Sequence, residues 1–191
     1  MTLTSLAEVL AVIPEGDRVV VGIVGQPGAG KSTLAERLVR ALPSAVLLPM
    51  DGFHLPQARL VELGRRDRMG APDTFDVDGF LATLAAARLG PVTAPGFDRA
   101  IEEPVPDAIA IGSERVIVVE GNYLLHWRAP LDLSLYLDVD HDTRIERLEA
   151  RHVRFGKTPD AARAWSLGPD EANARLITET ADRADYAVRL D

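Results

Sequence analysis

Short runs of apolar residues alternate with amphipathic segments of helical periodicity along most of the chain. The apolar runs, each of a length typical of buried strands, are Val19–Val24, Ala45–Leu48, Arg115–Val119, Leu133–Leu137 and Tyr186–Leu190. The segments that predict helices are Lys31–Ala41, Phe80–Arg88, Thr143–Arg151 and Asp170–Thr180. This alternation predicts the α/β class, with three layers in which helices cover both faces of a mainly parallel, five-stranded sheet.

A long stretch between the second and third predicted strands, about residues 52–113, breaks this alternation. It is rich in Gly, Pro, Asp and Arg, and its pattern predicts one helix with loops elsewhere. Compact domains rarely carry such a segment without a purpose, and covering a binding site is the usual one. Because no break in composition divides the 191 residues, we expect a single domain.

Composition and the N-terminus narrow the class of protein. The N-terminal stretch MTLTSLAEVLAVIPEGD has apolar residues at helical spacing but lacks the basic start and cleavage site of a signal peptide, which predicts a surface helix. No apolar run reaches the length of about 20 residues that crosses a bilayer. The absence of cysteine excludes disulfides and thiolate metal sites and favours a cytoplasmic protein. A net charge of −8 argues against general binding to nucleic acids or membrane surfaces.

A phosphate-binding motif lies between the first predicted strand and the first long helix. Gly25, Gly30, Lys31 and Ser32 occupy every fixed position of the pattern G-x-x-x-x-G-K-[ST]. The glycines let successive N–H groups turn toward a phosphate, and the helix N-terminus adds partial positive charge. Lys31 can reach the β- and γ-phosphates of a nucleotide, while the Ser32 hydroxyl can ligate Mg²⁺. The residues predicted to bind the nucleotide are Gly25, Gln26, Pro27, Gly28, Ala29, Gly30, Lys31, Ser32 and Thr33.

Two carboxylates follow apolar strands and are candidates for chemistry at the terminal phosphate. Glu120 ends the strand in RVIVVEGN, and Asp51 follows the strand in AVLLPMDGFHLP. The carboxyl edge of a parallel sheet is where open α/β proteins bind ligands. There Glu120 can organise Mg²⁺, and Asp51 can take the proton of an attacking hydroxyl. The alternatives are a solvated glutamate at a strand end and an ordinary Asp-Gly turn.

At these residues the chain resembles the P-loop small-molecule kinases that include uridine kinase, phosphoribulokinase and bacterial type I pantothenate kinase. The resemblance extends over nearly the whole chain. Besides the phosphate-binding motif it includes MDGFHL at Met50–Leu55, RMGAPDTFD at Arg68–Asp76, PGFDRAIEEP at Pro95–Pro104, VVEGNYLL at Val118–Leu125, RHVRFGK at Arg151–Lys157 and DEANARLITETADRAD at Asp170–Asp185. The chain is most similar to a branch often labelled fructose-transport-system kinases or nucleoside and nucleotide kinase-like proteins.

The resemblance implies an ATP-dependent kinase, with Mg²⁺ assistance, that transfers the γ-phosphate of ATP to a hydroxyl of a small molecule. It implies that Asp51 is the base that activates this hydroxyl. It also implies that Glu120 lies near the metal and that Arg99, in the sequence FDR, lies in the acceptor pocket.

The resemblance further implies a lid at about residues 144–160. Arg151 or Arg154 would close over the phosphates there, stabilising charge and excluding water. The alternative for RHVRFGK is a basic helix end that complements the helix dipole.

The sequence leaves the acceptor open among a nucleoside, a sugar such as fructose, and pantothenate or a related vitamin precursor. Gly52-Phe53 is closer to pantothenate kinase, but the chain is shorter than that enzyme and lacks its extended C-terminal acceptor region. Aromatic residues near the candidate base can wall a pocket and orient hydroxyl groups. The residues predicted to bind the acceptor or adjoin it are Asp51, Phe53, His54, Arg68, Phe97, Arg99 and Glu120.

Arginines of the long insertion can form a pocket for an anionic acceptor, since arginine binds oxyanions through paired hydrogen bonds. They are Arg59, Arg65, Arg66, Arg68 and Arg99. Alternatively, several are solvated or pair with the neighbouring acids, which are Asp67, Asp73, Asp76 and Asp78.

Two other classes of function compete with the kinase. One is an NTPase switch or regulatory ATPase without a dedicated acceptor, because DVDG at Asp76–Gly79 matches the D-x-x-G pattern of GTPases. No N-K-x-D motif follows, so nothing supports guanine specificity. The other is a nucleotide-binding protein without catalysis, which the presence of Lys31, Ser32, Asp51 and Glu120 disfavours. The sequence does not determine the oligomeric state, and a homodimer is one alternative.

Overall fold

The computed structural model describes residues 1–190 and places a six-stranded parallel sheet at the centre of the molecule. In chain order its strands are β1 (Thr2–Leu3), β2 (Val19–Val24), β3 (Ala45–Pro49), β6 (Val116–Gly121), β7 (Leu133–Leu137) and β8 (Tyr186–Val188). Their spatial order is β1-β8-β7-β2-β6-β3, and every pairing is parallel. The predicted α/β class and parallel sheet are confirmed.

The helices lie between the strands, as the alternating pattern predicts. They are α1 (Leu6–Ala11), α2 (Lys31–Ala41), α3 (Gln57–Glu62), α4 (Val77–Leu89), α5 (His141–Arg154), α6 (Pro159–Leu167) and α7 (Pro169–Thr178). Among residues 1–190, no helix combines the length and the hydropathy that crossing a membrane requires.

The strand count differs from the prediction by one, because β1 also joins the sheet. Thr2 pairs with Ala187 and Leu3 with Val188, at the edge of the sheet. A strand of two residues is too short to produce an alternation in the sequence, so the prediction of five strands missed it.

The two central strands β2 and β6 are buried along their whole length because helices cover both faces of the sheet. Their side chains alternate between two apolar clusters. Val20 of β2 packs in the same cluster as Phe80 of α4, whereas Val21 packs in the other cluster with Leu34 of α2. The three predicted layers are therefore present, with α2 and α4 on opposite faces.

The long insertion contains more regular structure than the sequence predicts. Besides α3 and α4 it contains an antiparallel hairpin of β4 (Val92–Asp98) and β5 (Glu103–Ile111). The prediction of loops around one helix is therefore wrong for this part. The hairpin strands contain Pro and Gly and are interrupted by a bulge between Ala94 and Gly96, which weakens the period-two pattern.

The D-x-x-G sequence at residues 76–79 begins a helix. Asp76 is the N-cap of α4, and its side chain accepts a hydrogen bond of 2.9 Å from the backbone N–H of Gly79. Capping an N-terminus in this way is a common structural role of aspartate. Neither residue lines the cleft described below.

Candidate active site

The phosphate-binding loop connects β2 to α2, as predicted. Gly28 and Gly30 have φ values of +81° and +95°, in the left-handed region that favours glycine. A Cβ atom at Gly28 would lie 2.7 Å from the backbone oxygen of Arg144, so α5 packs directly on the loop. Gly30 is the N-cap of α2, which places Lys31 and Ser32 in the first turn of that helix.

Most of the loop faces a cleft of about 350 Å³ at the carboxyl edge of the sheet. The loop residues that line it are Pro27, Gly28, Gly30, Lys31, Ser32 and Thr33. Gly25, Gln26 and Ala29 do not line the cleft. The side-chain amide of Gln26 donates a hydrogen bond of 2.7 Å to Oγ1 of Thr178.

Lys31 is folded back over its own loop. Only 9% of the residue is exposed, and its Nζ donates a hydrogen bond of 3.0 Å to the backbone oxygen of Gln26. Burial lowers the pKa of Lys31 to about 8, although the negative charges of Glu120 and Asp51 oppose this change. A phosphate group would offer this ammonium group a stronger, charged partner than the carbonyl.

Glu120 and Ser32 meet at the base of the loop. The parallel pairing of β2 with β6 places Glu120 opposite Ile23, close to the start of the loop. There Ser32 Oγ donates a hydrogen bond of 3.0 Å to Glu120 Oε1. Glu120 is buried, and burial is the main cause of its raised pKa, followed by repulsion from Asp51. A buried carboxylate with a raised pKa favours a nearby cation.

The donor set fits Mg²⁺, which takes oxygen ligands and is usually bound by one or two protein groups together with substrate phosphates and water. A hydroxyl and a carboxylate are available at Ser32 and Glu120. Residues 1–190 contain no group of three or more His, Cys, Asp or Glu side chains arranged to hold a metal ion. Phosphate oxygens or water would therefore have to complete the coordination.

Asp51 lies in a 3₁₀ turn, Met50–Phe53, that follows β3 directly. Its carboxylate is one-quarter exposed, lines the cleft with Lys31 and Glu120, and accepts a hydrogen bond from Arg99 in the turn of the β4–β5 hairpin. Burial alone would raise the pKa of Asp51. The positive charge and the hydrogen bond of Arg99, together with the positive charge of Lys31, oppose burial and hold this pKa below its ordinary value.

Aromatic rings form one wall of the cleft beside Asp51. The ring of His54 lies between Phe75 and Phe97, with centroid distances of 4.0 and 4.7 Å, and all three residues line the cleft. His54 Nδ1 donates a hydrogen bond of 2.8 Å to the backbone oxygen of Asp51. Burial lowers the pKa of His54, which favours the neutral imidazole. The wall is therefore apolar except for the imidazole nitrogens of His54.

Two residues predicted for the acceptor site lie outside the cleft. Phe53 is 5% exposed and packs edge-on against Phe80 at 5.2 Å, as part of the core. Arg68 pairs with Asp73 at 2.6 Å on the surface of the insertion. Because its partner is five residues away, this pair forms within a single short segment.

The other insertion arginines divide between surface and cleft. Arg59 pairs with Glu62 at 2.6 Å and Arg65 with Asp73 at 3.3 Å, both outside the cleft. Arg66 lines the cleft and pairs with Glu102 at 2.7 Å.

The predicted lid segment, about residues 144–160, contains most of α5, the turn that follows it and the start of α6. Arg151 lines the cleft, whereas Arg154 does not and instead lies over the ring of Phe155, 5.9 Å from its centroid. Burial lowers the pKa of Arg151, with attraction to Asp170 opposing. The structure thus brings one of the two candidate lid arginines to the site.

Two cations of the cleft were not among the predicted site residues. Arg147 lines the cleft, and its Nη1 donates a hydrogen bond of 3.4 Å to the backbone oxygen of Ala29. The spacing of four residues between Arg147 and Arg151 is the signal that indicates a shared helix face. Lys157 lies 4.8 Å from the ring centroid of Trp165, and both residues line the cleft. Trp165 belongs to α6, a helix absent from the predicted elements, although Thr158 and Pro159 are typical of a helix start.

Helix α7 anchors both the lid and the insertion. His152 Nε2 donates a hydrogen bond of 2.7 Å to Asp170 Oδ2 at the edge of the cleft. The backbone oxygen of Gly70, in the insertion, accepts hydrogen bonds from Tyr123 Oη at 2.7 Å and from Asn173 Nδ2 at 3.3 Å. These contacts join distant segments, and no local pattern in the sequence indicates them.

Several known proteins are similar to this chain in sequence and in structure. No protein-family model matches the chain. The crystal structure named "putative fructose transport system kinase", from Silicibacter sp. TM1040, is 38% identical, has a TM-score of 0.87 and covers 96% of this chain and 98% of that one. "Uncharacterized protein YggC" of Escherichia coli is 33% identical over 186 aligned residues, covering 91% of this chain and 78% of that protein. A "Putative uridine kinase" of Schizosaccharomyces pombe is 36% identical over 163 aligned residues, covering 73% of this chain and 68% of that protein.

The chain therefore belongs to the family of P-loop kinases whose members carry the names uridine kinase, pantothenate kinase and fructose transport system kinase. The resemblance inferred from its motifs is confirmed. Membership makes the chain an ATP-dependent kinase, and therefore a phosphotransferase, that acts on a small molecule. The names of the relatives differ in the acceptor, so family membership does not identify the group that receives the phosphate.

Proposed function

We propose that this kinase transfers the γ-phosphate of ATP to a hydroxyl group of a small molecule, with Asp51 as the general base. The observation that carries this proposal is that Asp51 lines the same cleft as Lys31 and Ser32 of the phosphate-binding loop. The loop approaches this cleft from β2 and the carboxylate approaches it from β3, two strands that flank β6. A donor phosphate and an acceptor hydroxyl bound there would lie between the loop and the base.

The donor phosphates would be bound by the backbone N–H groups of the loop and by Lys31. Its ammonium group would exchange the Gln26 carbonyl for a phosphate oxygen. Arg147 and Arg151 of α5 face the same cleft and would neutralise charge on the transferring group. Ser32 and Glu120 would hold Mg²⁺, which when bound neutralises negative charge on the phosphates.

In the transfer step the acceptor oxygen forms a bond to the γ-phosphorus, and the bond from that phosphorus to the β–γ bridging oxygen breaks. The bonding electron pair leaves with ADP, and the hydroxyl proton passes to the carboxylate of Asp51. General-base assistance of this kind contributes about 10²–10⁴-fold to a rate. The low pKa of Asp51 keeps the carboxylate ionised at neutral pH, as a base requires.

The wall formed by His54, Phe75 and Phe97 would face the acceptor, since it adjoins Asp51 and not the loop. A nucleoside, a sugar such as fructose and a pantothenate-like alcohol remain the candidates. The pantothenate kinase of Xanthobacter autotrophicus is 33% identical, but the match covers only 46% of that protein. This partial coverage gives no support for pantothenate over the other acceptors.

The proposal is tested by measuring ADP release from Mg-ATP with and without each candidate acceptor. Release that depends on one acceptor, with a phosphorylated product detected by mass spectrometry, is the expected result. Asp51→Asn should lower that release by at least about 10²-fold while ATP affinity changes by less than about threefold. Asp73→Asn is the matched control, because Asp73 pairs with Arg68 outside the cleft.

An Asp51→Asn variant with normal transfer would show that another group is the base. ADP release that ignores every acceptor would instead favour the ATPase alternative.

A further inference from the structure

The candidate base is bound by an arginine from a different part of the chain. Arg99 lies one residue beyond β4, and its Nη2 donates a hydrogen bond to Oδ2 of Asp51. Among residues 1–190 Arg99 forms no second ion pair, and the Phe97 ring lies 5.9 Å from its guanidinium. The pair lines the cleft, where ligands can reach it.

This ion pair makes Asp51 a poor base while the acceptor is absent. The guanidinium occupies one carboxylate oxygen and stabilises its negative charge, so the carboxylate binds a proton less readily. Asp51 is one-quarter exposed, so water can approach it. A free carboxylate in this position would activate that water against the γ-phosphate and waste ATP.

We propose that Arg99 withholds Asp51 from catalysis until an acceptor that carries a carboxylate or phosphate group replaces Asp51 as the partner of Arg99. Arg99 is then a positioning residue for the base, and it selects alcohols that also bear an oxyanion. This inference rests on the proposed function, since it concerns the same base and the same transfer.

Charge balance explains why the incoming group would be an oxyanion. When Asp51 accepts the hydroxyl proton it becomes neutral, and Arg99 loses its negative partner within the cleft. A neutral acceptor cannot replace that charge, whereas a carboxylate or phosphate can do so through paired hydrogen bonds. Arg66, the other insertion arginine in the cleft, already has Glu102 as its partner at 2.7 Å.

The same balance describes the wasteful reaction that the pair prevents. A water oxygen would bond to the γ-phosphorus, the bond to the bridging oxygen would break, and ADP would leave with the electron pair. The water proton would pass to Asp51. Breaking the ion pair should therefore increase hydrolysis, a gain that general damage to the fold would not produce.

The first experiment measures ADP release from saturating Mg-ATP without any acceptor. Arg99→Met should raise the rate about 5–10-fold, because Asp51 becomes a stronger base. Adding Asp51→Asn to Arg99→Met should return the rate to the wild-type value or below. Arg40→Met is the matched control, because Arg40 is exposed on α2 and pairs there with Glu36. Circular dichroism of each variant establishes that it is folded.

The second experiment tests the selection of an oxyanion with a matched pair of small probes. Acetate should raise acceptor-independent ADP release by the wild-type protein at least about twofold, by binding Arg99 and releasing Asp51. Acetamide has the same shape without the charge and should not raise ADP release. Sodium chloride at equal ionic strength controls for the screening of charges by salt. Arg99→Met should not respond to acetate.

Two results would overturn the inference: an Arg99→Met rate at or below the wild-type rate, or an equal response to acetate and acetamide. Failure of the proposed function gives a different pattern. Hydrolysis that rises in Arg99→Met and stays high when Asp51→Asn is added would show that Asp51 is not the base. Acceptor-dependent transfer that needs Asp51, together with unchanged hydrolysis in Arg99→Met, would reject only the role of Arg99.

Discussion

Oγ of Ser32 donates a hydrogen bond of 3.0 Å to Oε1 of Glu120, although 88 positions separate the two residues in the chain. The parallel pairing of β2 with β6 creates this contact, because Glu120 lies opposite Ile23, just before the loop begins. We propose this hydroxyl and this carboxylate as oxygen ligands for Mg²⁺. The contact therefore links the topology of the sheet to the metal requirement expected of the kinase.

Glu120→Gln should raise the Mg²⁺ concentration needed for half-maximal activity by at least about tenfold, because an amide binds a hard cation more weakly than a carboxylate. ADP formation at fixed ATP, measured across a Mg²⁺ titration, gives this value. Glu36→Gln, on the exposed face of α2, is the control that should leave the titration unchanged. An unchanged Mg²⁺ requirement in Glu120→Gln would remove Glu120 from the metal site.

Arg151→Gln should lower kcat by about 10²-fold, the usual effect of removing one group that stabilises transition-state charge. The reason is that Arg151 lines the cleft with Lys31. Arg154→Gln is the matched comparison from the same helix, since Arg154 does not line the cleft, and its kcat should stay within about twofold. Steady-state assays of both variants separate the two candidates, and equal losses would mean that the lid moves Arg154 into the site.

The parts of the site that depend on local patterns could be predicted from the sequence. The loop has a fixed motif, and Asp51 and Glu120 each follow an apolar strand that the topology brings to one edge. Because Phe53 is two residues from Asp51 in the chain, the sequence predicts that its ring lines the acceptor pocket. The 3₁₀ turn instead directs Phe53 into the core against Phe80.

The parts that depend on tertiary pairing could not be predicted. Arg99 reaches Asp51, 48 positions away, only because residues 92–111 form a hairpin. Its strands contain Pro and Gly and show weak alternation, so their pattern resembles a loop. Lys157, in the turn before α6, lies against the ring of Trp165 in that helix. No local pattern in the sequence indicates this contact.

Gly28→Ala should weaken ATP binding by at least about tenfold. A φ of +81° is strained for alanine, and its Cβ would lie 2.7 Å from a backbone oxygen of α5, so the loop has to move. Gly64→Ala is the matched control, because its φ of +63° carries the same kind of strain but no atom lies within 4 Å. Isothermal titration with a nonhydrolysable ATP analogue should show normal affinity for Gly64→Ala. Equal affinities in the two variants would contradict the clash.

The pH dependence of kcat/KM reports the ionisation of the free enzyme's base. Since the charges of Arg99 and Lys31 hold the pKa of Asp51 below its ordinary 3.8, the carboxylate stays ionised between pH 7 and about pH 5. Protonation of Asp51 should therefore cause no fall in kcat/KM across this range. A base loses activity as the pH falls through its pKa, so Arg99→Met, which raises that pKa, should move the acid limb upward. Rate–pH profiles of wild type and variant give the comparison. A downward or absent shift would mean that Asp51 does not set this limb.

The ion pair between Arg144 and Glu171 connects the lid helix to α7 behind the phosphate-binding loop. Arg144 is 1% exposed, and within residues 1–190 its Nε and Nη1 have no hydrogen-bond partner, so Glu171 alone compensates this buried charge. Glu171→Gln should therefore destabilise the fold by about 3 kcal/mol, which lowers Tm by about 6–12 °C in a domain of this size.

The double variant Arg144→Met with Glu171→Leu should recover most of that loss, because an apolar pair avoids the desolvation of both charges. Thermal unfolding of the single and double variants measures the coupling between the two residues. Since the backbone oxygen of Arg144 lies against Gly28, a destabilised pair should also weaken ATP binding, and recovery of stability without recovery of affinity would show that the charge itself positions the loop.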